Sequence, residues 1–445
     1  MLSLIDLREG LPEQDLRSVL PRPGVPGDGR DAGGADDGVA GVDEAVRSLL
    51  KEVCARGDAA VRELTARFDG VEVTTLRVDP DVVAGAPRRV PEDVRDALVE
   101  AHRRIEAYHA IERSPAAHFE DGGISVRELI RPVARAGCYA PGGRARYPSS
   151  VLMTAVPARV AGVDEIVLCV PPGPDGSIDD ASLAAAALAG VDEVYRIGGV
   201  QAIGAMAFGT ESVGAVDVIV GPGNRFVAEA KRQVAGFVGV PSAFTGPSEV
   251  VVVADGAADP QLVAADLLVQ AEHGPDGMAW LVTWEPAQAE AVAAAVALLV
   301  ATSVRRGEIE ATLATGSRTV LVGSPSDAMA VANAIAPEHL ELHVEEPAAL
   351  VPQVRNAGAV FCGPFAPATL GDYAAGPNHV LPTGGSARFA QALRVDDFLK
   401  RIHVVEAGRE GLAGLAKTVE TLAEVEGLDA HAASIRLRRE SLGAL

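Results

Sequence analysis

Short β-branched runs alternate with helical stretches over most of the chain after residue 125, and this alternation limits the fold more than any other feature. Strand patterns at residues 165–170, 193–197 and 217–220 are each followed by a stretch with helical periodicity. Such a series is typical of a parallel sheet covered by helices. A second series of the same kind runs from residue 249 to residue 362. The sequence therefore predicts an α/β fold made of two modules, each with a parallel sheet.

The composition changes along the chain and predicts five segments. In chain order they are an N-terminal segment, a helical region, two α/β modules and a helical tail, at residues 1–41, 42–138, 139–244, 245–390 and 391–445. Residues 21–41 are rich in Gly, Pro and Asp, and we expect this insertion to be mobile. We also expect the helical region to pack on the second module. The tail has an apolar face, because Leu415, Val419 and Leu422 recur at helical spacing.

Charge and cysteine content exclude several classes of function. The 445 residues carry a formal net charge of −22, which repels nucleic-acid phosphates but permits a small anionic cofactor bound at helix N-termini. The four cysteines lie far apart and form no C-x-x-C pair, so neither a thiolate zinc site nor a disulfide framework is predicted. The first residues lack a signal pattern, and no apolar run reaches the length of a membrane span. We expect a cytoplasmic protein that binds neither nucleic acid nor membrane.

Three predicted strands of the first module end in glycine-marked loops. Tyr139 begins the loop Y-A-P-G-G, Gln201 ends the stretch G-G-V-Q, and Asn224 ends the stretch G-P-G-N. Glycines between a strand and a helix suit a phosphate or pyrophosphate, and ligands of open parallel sheets lie at the carboxyl ends of strands. Each loop by itself also fits an ordinary turn. The standard G-x-G-x-x-G dinucleotide fingerprint is not met, since the third glycine is missing after Gly223.

Gln270 and His273 end a predicted helix and share one face, because they lie three residues apart. Both side chains can therefore reach one ion, to which Asp372 could add an oxygen and His431 a nitrogen. Such a mixed nitrogen and oxygen set suits Zn²⁺, with Mn²⁺ or Co²⁺ as substitutes. The alternative is that His273 is a histidine favoured at a helix C-terminus by the helix dipole.

The stretch from residue 336 to residue 383 concentrates acid–base groups among Gly and Pro residues. It contains the pair Glu338 and His339 and, further on, Asp372 and His379. A carboxylate beside a histidine offers a general base and a second proton carrier. Each of these groups also fits a purely structural role.

Two other polar residues leave their roles open. Ser248 lies where the two predicted modules meet, and its hydroxyl fits either a ligand contact or a turn. His343 projects from a predicted strand without a partner pattern, and we assign it no role.

Taken together, these stretches resemble the histidinol dehydrogenase family, whose members depend on zinc and NAD. The likeness runs from about residue 4 to the C-terminus, apart from residues 21–41. The stretches that carry it are G-G-V-Q-A-I-G-A-M-A-F-G-T at 198–210, G-P-G-N at 221–224, A-K-R-Q-V at 230–234, G-P-S-E-V at 246–250, Q-A-E-H-G-P-D at 270–276, P-E-H-L at 337–340 and G-D-Y-A-A-G-P-N-H-V-L-P-T at 371–383.

The resemblance implies a four-electron oxidation in which L-histidinol and two NAD⁺ give L-histidine through a histidinal intermediate. It implies two incomplete Rossmann-like modules and a homodimer with one Zn²⁺ per subunit, in which the tail reaches the partner's active site. The implied zinc ligands are Gln270, His273, Asp372 and, from the second subunit, His431. The implied proton-handling pair is Glu338 and His339, and the implied NAD contacts are Tyr139, Gln201 and Asn224. The implied substrate contacts are Ser248, Gln270, His273, His339, Asp372, His379, Glu426 and His431.

Three other functions fit parts of the pattern. A related zinc- and NAD-dependent enzyme could oxidise another amino or sulfonated alcohol, although the presence of His379 and Glu426 argues against it. A zinc hydrolase could use Glu338 to activate water, but the chain has no H-E-x-x-H motif and has three glycine-marked strand ends. A structural metal site is usually rich in cysteine, which this ligand set is not.

Overall fold

The computed structural model describes residues 2–11, 16, 20, 39–142, 146–241, 248–272 and 277–443. Residues 21–38 of the predicted mobile insertion lie outside the described residues, and residues 39–41 belong to the first helix. The strands are β1 (Ser3–Leu7), β2 (His118–Asp121), β3 (Ile124–Pro132), β4 (Arg135–Tyr139), β5 (Glu165–Val170), β6 (Glu193–Arg196), β7 (Val218–Val220), β8 (Glu249–Ala254), β9 (Met278–Thr283), β10 (Arg318–Val322), β11 (His339–His343), β12 (Ala359–Cys362) and β13 (Leu399–Ala407).

The α-helices lie between and around these strands. They are α1 (Val39–Arg56), α2 (Asp58–Asp69), α3 (Pro80–Gly85), α4 (Glu92–Ile111), α5 (Pro148–Ala161), α6 (Asp180–Leu188), α7 (Gly199–Phe208), α8 (Arg225–Val234), α9 (Pro260–Ala271), α10 (Pro286–Thr302), α11 (Arg306–Thr315), α12 (Pro325–Ile335), α13 (Pro347–Leu350), α14 (Ala368–Tyr373), α15 (Arg409–Val425) and α16 (Asp429–Gly443). None of the helices in the described part of the chain combines the length and the apolar character that a bilayer crossing requires.

Strands β4 to β7 form a parallel sheet in the spatial order β6-β5-β4-β7. Their residues are buried almost throughout, as in β5, because helices cover both faces of the sheet. The chain adds β5 and β6 on one side of β4 and then returns to add β7 on the other side. The order of connections therefore switches between β4 and β7, which is where open α/β sheets place their ligands.

Strands β8 to β12 form a second parallel sheet, together with β1, in the order β1-β10-β9-β8-β11-β12. The two sheets confirm the predicted α/β fold with two parallel modules, while the five predicted segment boundaries stay a prediction. The strand β1 was not expected. It pairs in parallel with β10, with Ser3 opposite Arg318, and no local pattern can indicate a partner so distant in the chain.

A three-stranded antiparallel sheet, in the order β13-β3-β2, is separate from both parallel sheets. The prediction that residues 42–138 are helical is therefore wrong for β2 and β3, and the prediction of a helical tail is wrong for β13. Most residues of β13 are exposed, so the strand lacks the apolar alternation that marks a half-buried strand. Helices α15 and α16 follow β13 as predicted, and Gly427, with a φ of 71°, separates them.

The helices at the start of the chain pack on the first parallel module, so the prediction that they pack on the second is wrong. Helices α1 and α2 lie against α7, and α4 lies against α5 and α6. Val46, Leu50 and Val53 of α1 share a core with Ile203 of α7. Helical periodicity indicated the apolar face of α1 but not its partner, because any apolar surface of matching shape can cover such a face.

The absence of a side chain at Gly204 allows α1 and α7 to pack closely against each other. A Cβ added there would lie 3.2 Å from Val53 Cβ and 3.3 Å from Leu50 Cδ2, so a large side chain forces the two helices apart. We expect Gly204→Leu to lower the free energy of unfolding by roughly 1–3 kcal/mol, measured by urea denaturation.

The control for this variant is Gly307→Ala on α11. Apart from its two chain neighbours and the backbone of its own helix, no described atom lies within 4 Å of the added Cβ, and alanine favours a helix more than glycine does. This control should therefore match or exceed the stability of the wild type. A Gly204→Leu protein as stable as the control would contradict the close packing of α1 on α7.

Candidate active site

A cavity of about 1180 Å³ opens at the carboxyl ends of the first parallel sheet. Tyr139 at the end of β4, Gly199 and Gln201 at the start of α7, and Asn224 after β7 all line it. Small-molecule sites usually occupy ~300–1,000 Å³, so this space is large enough for an extended ligand. The structure thus brings the three glycine-marked loops, and the three residues predicted to contact a nucleotide, to one cavity.

Gln201 faces this cavity from a buried position. Its side chain is only 1% exposed, and its amide oxygen and nitrogen have no hydrogen-bond partner among the described residues. Leaving a buried polar group without a partner costs roughly 1–3 kcal/mol. Nearby, the Tyr139 hydroxyl accepts a hydrogen bond from the Gly199 amide at 3.1 Å. The Tyr139 hydroxyl is therefore held in place by a hydrogen bond, while the Gln201 side-chain amide could form its hydrogen bonds with a bound ligand.

The ends of β4 and β7 meet closely at the cavity. Gly221 has a φ of 115°, and a Cβ there would overlap the carbonyl oxygen of Tyr139, so only glycine fits. Asn224 then caps α8, because its side-chain oxygen accepts hydrogen bonds from the amides of Phe226 and Val227 at 3.0 and 3.1 Å. The glycine-marked loop after β7 therefore fixes the start of α8 at the cavity wall.

The second parallel sheet places Glu249 and Glu338 side by side, because β8 and β11 are paired from their first residues. The Glu338 carboxylate accepts hydrogen bonds from the Glu249 amide at 3.2 Å and from the Ser248 hydroxyl. Burial raises the pKa of Glu338, and burial together with the charge on Glu338 raises the pKa of Glu249 to about 8. Both groups are thus weaker acids than a solvated carboxyl group, which suits groups that exchange protons.

The chain enters β11 through a tight turn. Helix α12 ends at Ile335, Ala336 takes the left-handed conformation with a φ of 57°, and Pro337 prevents the helix from continuing. No other described residue except glycine has a positive φ. Backbone strain of this kind tends to occur at functional sites, and here it brings Glu338 and His339 to the start of the strand.

His339 is buried at the first position of β11, and neither ring nitrogen has a hydrogen-bond partner among the described residues. Its Nε2 lies 3.5 Å from Asp372 Oδ1, and its Nδ1 lies 3.9 Å from Glu338 Oε2. Burial lowers the pKa of His339, but Glu338 and Asp372 outweigh burial and raise it to about 9. An imidazole between two carboxylates, without a fixed hydrogen bond, is available for proton transfer to or from a ligand.

Asp372 lies on the short helix α14, whose approach to the sheet depends on Gly371. A Cβ on Gly371 would lie 2.6 Å from the Phe361 ring. His379 donates a hydrogen bond from Nδ1 to the Asp372 carbonyl at 2.8 Å, and its Nε2 accepts one from the Ser150 hydroxyl at 3.2 Å. Burial lowers the pKa of His379, which is therefore neutral at pH 7. Ser150 lies in the first turn of α5, so this contact joins the second module to the first beside the site.

The end of α9 reaches the same region. Gln270 is buried in its last turn, and Glu272, which follows, is close enough to raise the phenol pKa of Tyr373 along with burial and Asp372. His273, the other metal ligand predicted from this helix, lies outside the described residues. Two predicted residues of the tail, Glu426 and His431, are exposed. Within one chain, neither is enclosed with the buried groups around His339.

Sequence reasoning missed the roles of the half-buried Asp69 and of the buried Glu249. Asp69 ends α2 at the cavity wall, where burial raises its pKa to about 6, and its Oδ2 has no partner among the described residues. Glu249 looked like the first residue of an ordinary strand. Asp69 belongs to no motif, and Glu249 lies in the stretch G-P-S-E-V without any pattern that marks it as a site residue. The burial of both groups depends on elements distant in the chain.

His343, to which the sequence analysis assigned no role, is buried in a cluster with Asp266 and Glu341. The potential ligand atoms of these three residues lie within 4.8 Å of one another, so the cluster could hold a metal ion. It shares no residue with the predicted zinc ligands. The sequence did contain a pattern that could have indicated part of this cluster. His339, Glu341 and His343 alternate along β11 and therefore share one face of the sheet.

The two parallel sheets, each wound in both directions from a switch point, define the doubly wound α/β class. The histidinol dehydrogenase family model matches residues 35–439. The histidinol dehydrogenase of Gluconobacter oxydans is 49% identical over 402 residues, which cover 90% of this chain and 93% of that protein. That of a Synechococcus strain is 47% identical over 411 residues, or 92% of this chain and 94% of that protein.

A crystal structure gives the same answer. The histidinol dehydrogenase from Elizabethkingia anophelis superposes with a TM-score of 0.90 at 34% identity, and the match covers 99% of each chain. The chain belongs to the histidinol dehydrogenase family. It is therefore an oxidoreductase, and the resemblance drawn from the sequence is confirmed.

The raised pKa of His339 can be tested directly. Because the Asp372 carboxylate stabilises the protonated imidazole, we expect Asp372→Asn to lower the pKa of His339 by roughly 1. The measurement is a histidine NMR titration of metal-free protein, in which His339→Gln identifies the resonance. Asp396→Asn, a substitution in a different part of the chain, should leave the pKa of His339 unchanged. An unchanged His339 pKa in Asp372→Asn would contradict the described contact.

Proposed function

We propose that this chain oxidises L-histidinol to L-histidine through histidinal, with two NAD⁺ as hydride acceptors, as the last step of histidine biosynthesis in the cytoplasm. One observation carries the proposal: a buried imidazole without a hydrogen-bond partner among the described residues lies between two carboxylates. It does so in a chain nearly half identical to proteins named histidinol dehydrogenase. The alternative, oxidation of another amino or sulfonated alcohol, is not favoured by these relatives.

The cavity of the first module is the proposed NAD⁺ site. The unpartnered amide of Gln201 supports this, as do the glycine-marked loops after β4, β6 and β7. Tyr139, Gln201 and Asn224 would hold the dinucleotide, which supplies the hydride acceptor when bound. The contact of Ser150 on α5 with His379 joins the first module to the region of the second that holds the proposed catalytic groups.

A divalent cation, proposed to be one Zn²⁺ per subunit, fits the second module. Glu338, Asp372 and Glu249 bring several carboxylates into one buried region, and their mutual repulsion helps to raise the pKa values of Glu249 and Glu338. Gln270, His273, Asp372 and the partner's His431 would hold the ion with the mixed nitrogen and oxygen donors that zinc accepts. When bound, the ion would fix the substrate through its amine and imidazole.

His339 and Glu338 would move the protons of the two oxidation steps. In the first step the neutral form of His339 would take the alcohol proton while hydride leaves the carbinol carbon, which gives the aldehyde, and His339 would then release this proton to solvent. Glu338 then activates a water molecule that adds to the aldehyde. In the second step His339 would take a proton from the resulting gem-diol while a second hydride leaves, which gives the carboxylic acid, and this acid then loses its own proton to form the carboxylate. Neutralising Asp372 would remove one of the charges that hold the pKa of His339 high, so His339 would act as a base at lower pH.

A homodimer would complete the site. The tail and the antiparallel sheet expose large apolar side chains, including Leu422, Val425, Val405 and Phe119, and Val425 is 81% exposed. Large apolar side chains exposed together on neighbouring elements support an interaction site there. A second copy that covers this surface would bring its Glu426 and His431 to the substrate and the ion, which explains why both are exposed in the single chain.

The yield of NADH tests the activity. We expect purified protein with zinc to form about two NADH per L-histidinol, since the alcohol loses four electrons in all, measured by absorbance at substrate exhaustion. His339→Ala should lower kcat by roughly 10²- to 10⁴-fold, because a general base contributes about that much, and should leave bound zinc unchanged. A yield of one NADH with free aldehyde, or near-normal turnover of His339→Ala, would contradict the mechanism.

Mixed dimers test the shared site. His339→Ala and His431→Ala homodimers should both be inactive. A mixed dimer of the two, isolated with two different affinity tags, contains one site with both substitutions and one with neither, so it should recover about half of the wild-type activity. A dimer of two differently tagged His339→Ala chains is the control and should stay inactive. An inactive mixed dimer would show that His431 serves its own chain.

A further inference from the structure

We propose that Asp266, Glu341 and His343 form a positioning triad that sets the spacing of the helices α9 and α14 against the strand β11. This inference rests on the proposed function, because Gln270 on α9 and Asp372 on α14 are the proposed metal ligands. The triad would act through these ligands and would touch neither substrate nor cofactor.

The triad is a closed set of buried contacts. His343 Nε2 lies 3.0 Å from Asp266 Oδ2 and 3.1 Å from Glu341 Oε2. The other oxygen of Glu341 accepts a hydrogen bond from the Ala368 amide, the first of α14, at 3.0 Å. Burial lowers the pKa of His343, but the two carboxylates outweigh burial and raise it to about 9. The imidazole is therefore charged at neutral pH. Its ion pair with Asp266 connects α9 to β11, and the hydrogen bond from the Ala368 amide to Glu341 connects α14 to β11.

On each helix, the residue that contacts the triad's strand β11 lies one helical turn from a proposed metal ligand. Asp266 precedes Gln270 by four residues on α9, and Ala368 precedes Asp372 by four residues on α14. Four residues advance a helix by about 6 Å and return the chain to nearly the same face. On β11, Glu341 follows His339 by two residues and shares its face of the sheet. The triad therefore holds α9, α14 and β11 together close to Gln270, Asp372 and His339, the residues that these elements contribute to the proposed site.

Two simpler explanations fit these contacts less well. A second metal site is not needed to satisfy these groups, because His343 Nε2 already contacts both carboxylates and the remaining Glu341 oxygen accepts a hydrogen bond from an amide. A purely stabilising role is also a weak explanation, because buried ionic groups are often no more stable than apolar residues of similar volume. Such groups do fix one geometry among several, and groups that orient metal ligands commonly change metal affinity 10- to 100-fold when replaced.

Metal binding to the purified dimer tests the triad. We expect Asp266→Asn and Glu341→Gln to weaken Co²⁺ or Zn²⁺ affinity by about 10- to 100-fold, measured with a competing chelator, and to alter the Co²⁺ absorption spectrum. KM for L-histidinol should rise, while KM for NAD⁺ should stay unchanged because the proposed nucleotide site is in the other module. Glu341→Leu, which also loses the acceptor for the Ala368 amide, should be more affected than Glu341→Gln.

The matched control is Asp255→Asn. Asp255 also accepts backbone hydrogen bonds beside the second sheet, from Ala257 and Glu345, but at the opposite end of β8 from the site. It should keep wild-type metal affinity and KM values even if thermal stability falls. Triad variants that lose only thermal stability, as this control does, would overturn the proposal.

Metal stoichiometry separates the remaining outcomes. Wild-type protein should bind one equivalent per chain, and the triad variants should bind the same single equivalent more weakly. Two equivalents in the wild type, with one lost in Asp266→Asn, would overturn the positioning role in favour of a metal site. A wild-type protein that binds no metal and yields no NADH would instead refute the proposed function itself.

Discussion

The parallel pairing of β8 with β11 is the constraint on which the site depends. In this register His339 lies opposite Val250, and the pairing brings Glu249 beside Glu338. Leu340 and Leu342, which point to the opposite face, are buried in an apolar core. A shift of one residue would exchange these leucines with His339 and its neighbours on the same face. The apolar core on one side of β11 therefore fixes the position of the ionisable groups on the other.

The parts of the molecule that the sequence could predict are those with local signals. The two parallel modules followed from apolar runs such as β5 and β8, and the helix break at Gly427 followed from a glycine after an apolar stretch. The antiparallel sheet was missed because β13 is exposed on both faces and depends on β3, far away in the chain. The packing of α1 on α7 was missed because an apolar helix face does not identify its partner.

The candidate site shows the same division. Motifs indicated Glu338, His339, Asp372 and His379, and the structure brings these four together through contacts of 2.8–3.9 Å. Motifs could not indicate that burial and neighbouring carboxylates raise the pKa of His339 to about 9, because burial depends on the whole fold. From the motifs alone, the only available value was the pKa of about 6.5 of an unperturbed imidazole. Because the charge of Asp372 helps to raise the pKa of His339, it affects the pH at which His339 can accept a proton.

The strand β1 has a consequence for the order in which this protein is built. It leaves the ribosome long before its partner β10, which begins only at residue 318. The first module, by contrast, closes its sheet within residues 135–220 and needs only nearby strands. Contacts between distant segments form more slowly than local ones. During synthesis the first module can therefore fold before β1 has a partner, and the edge of the second sheet is completed only after β10 has been translated.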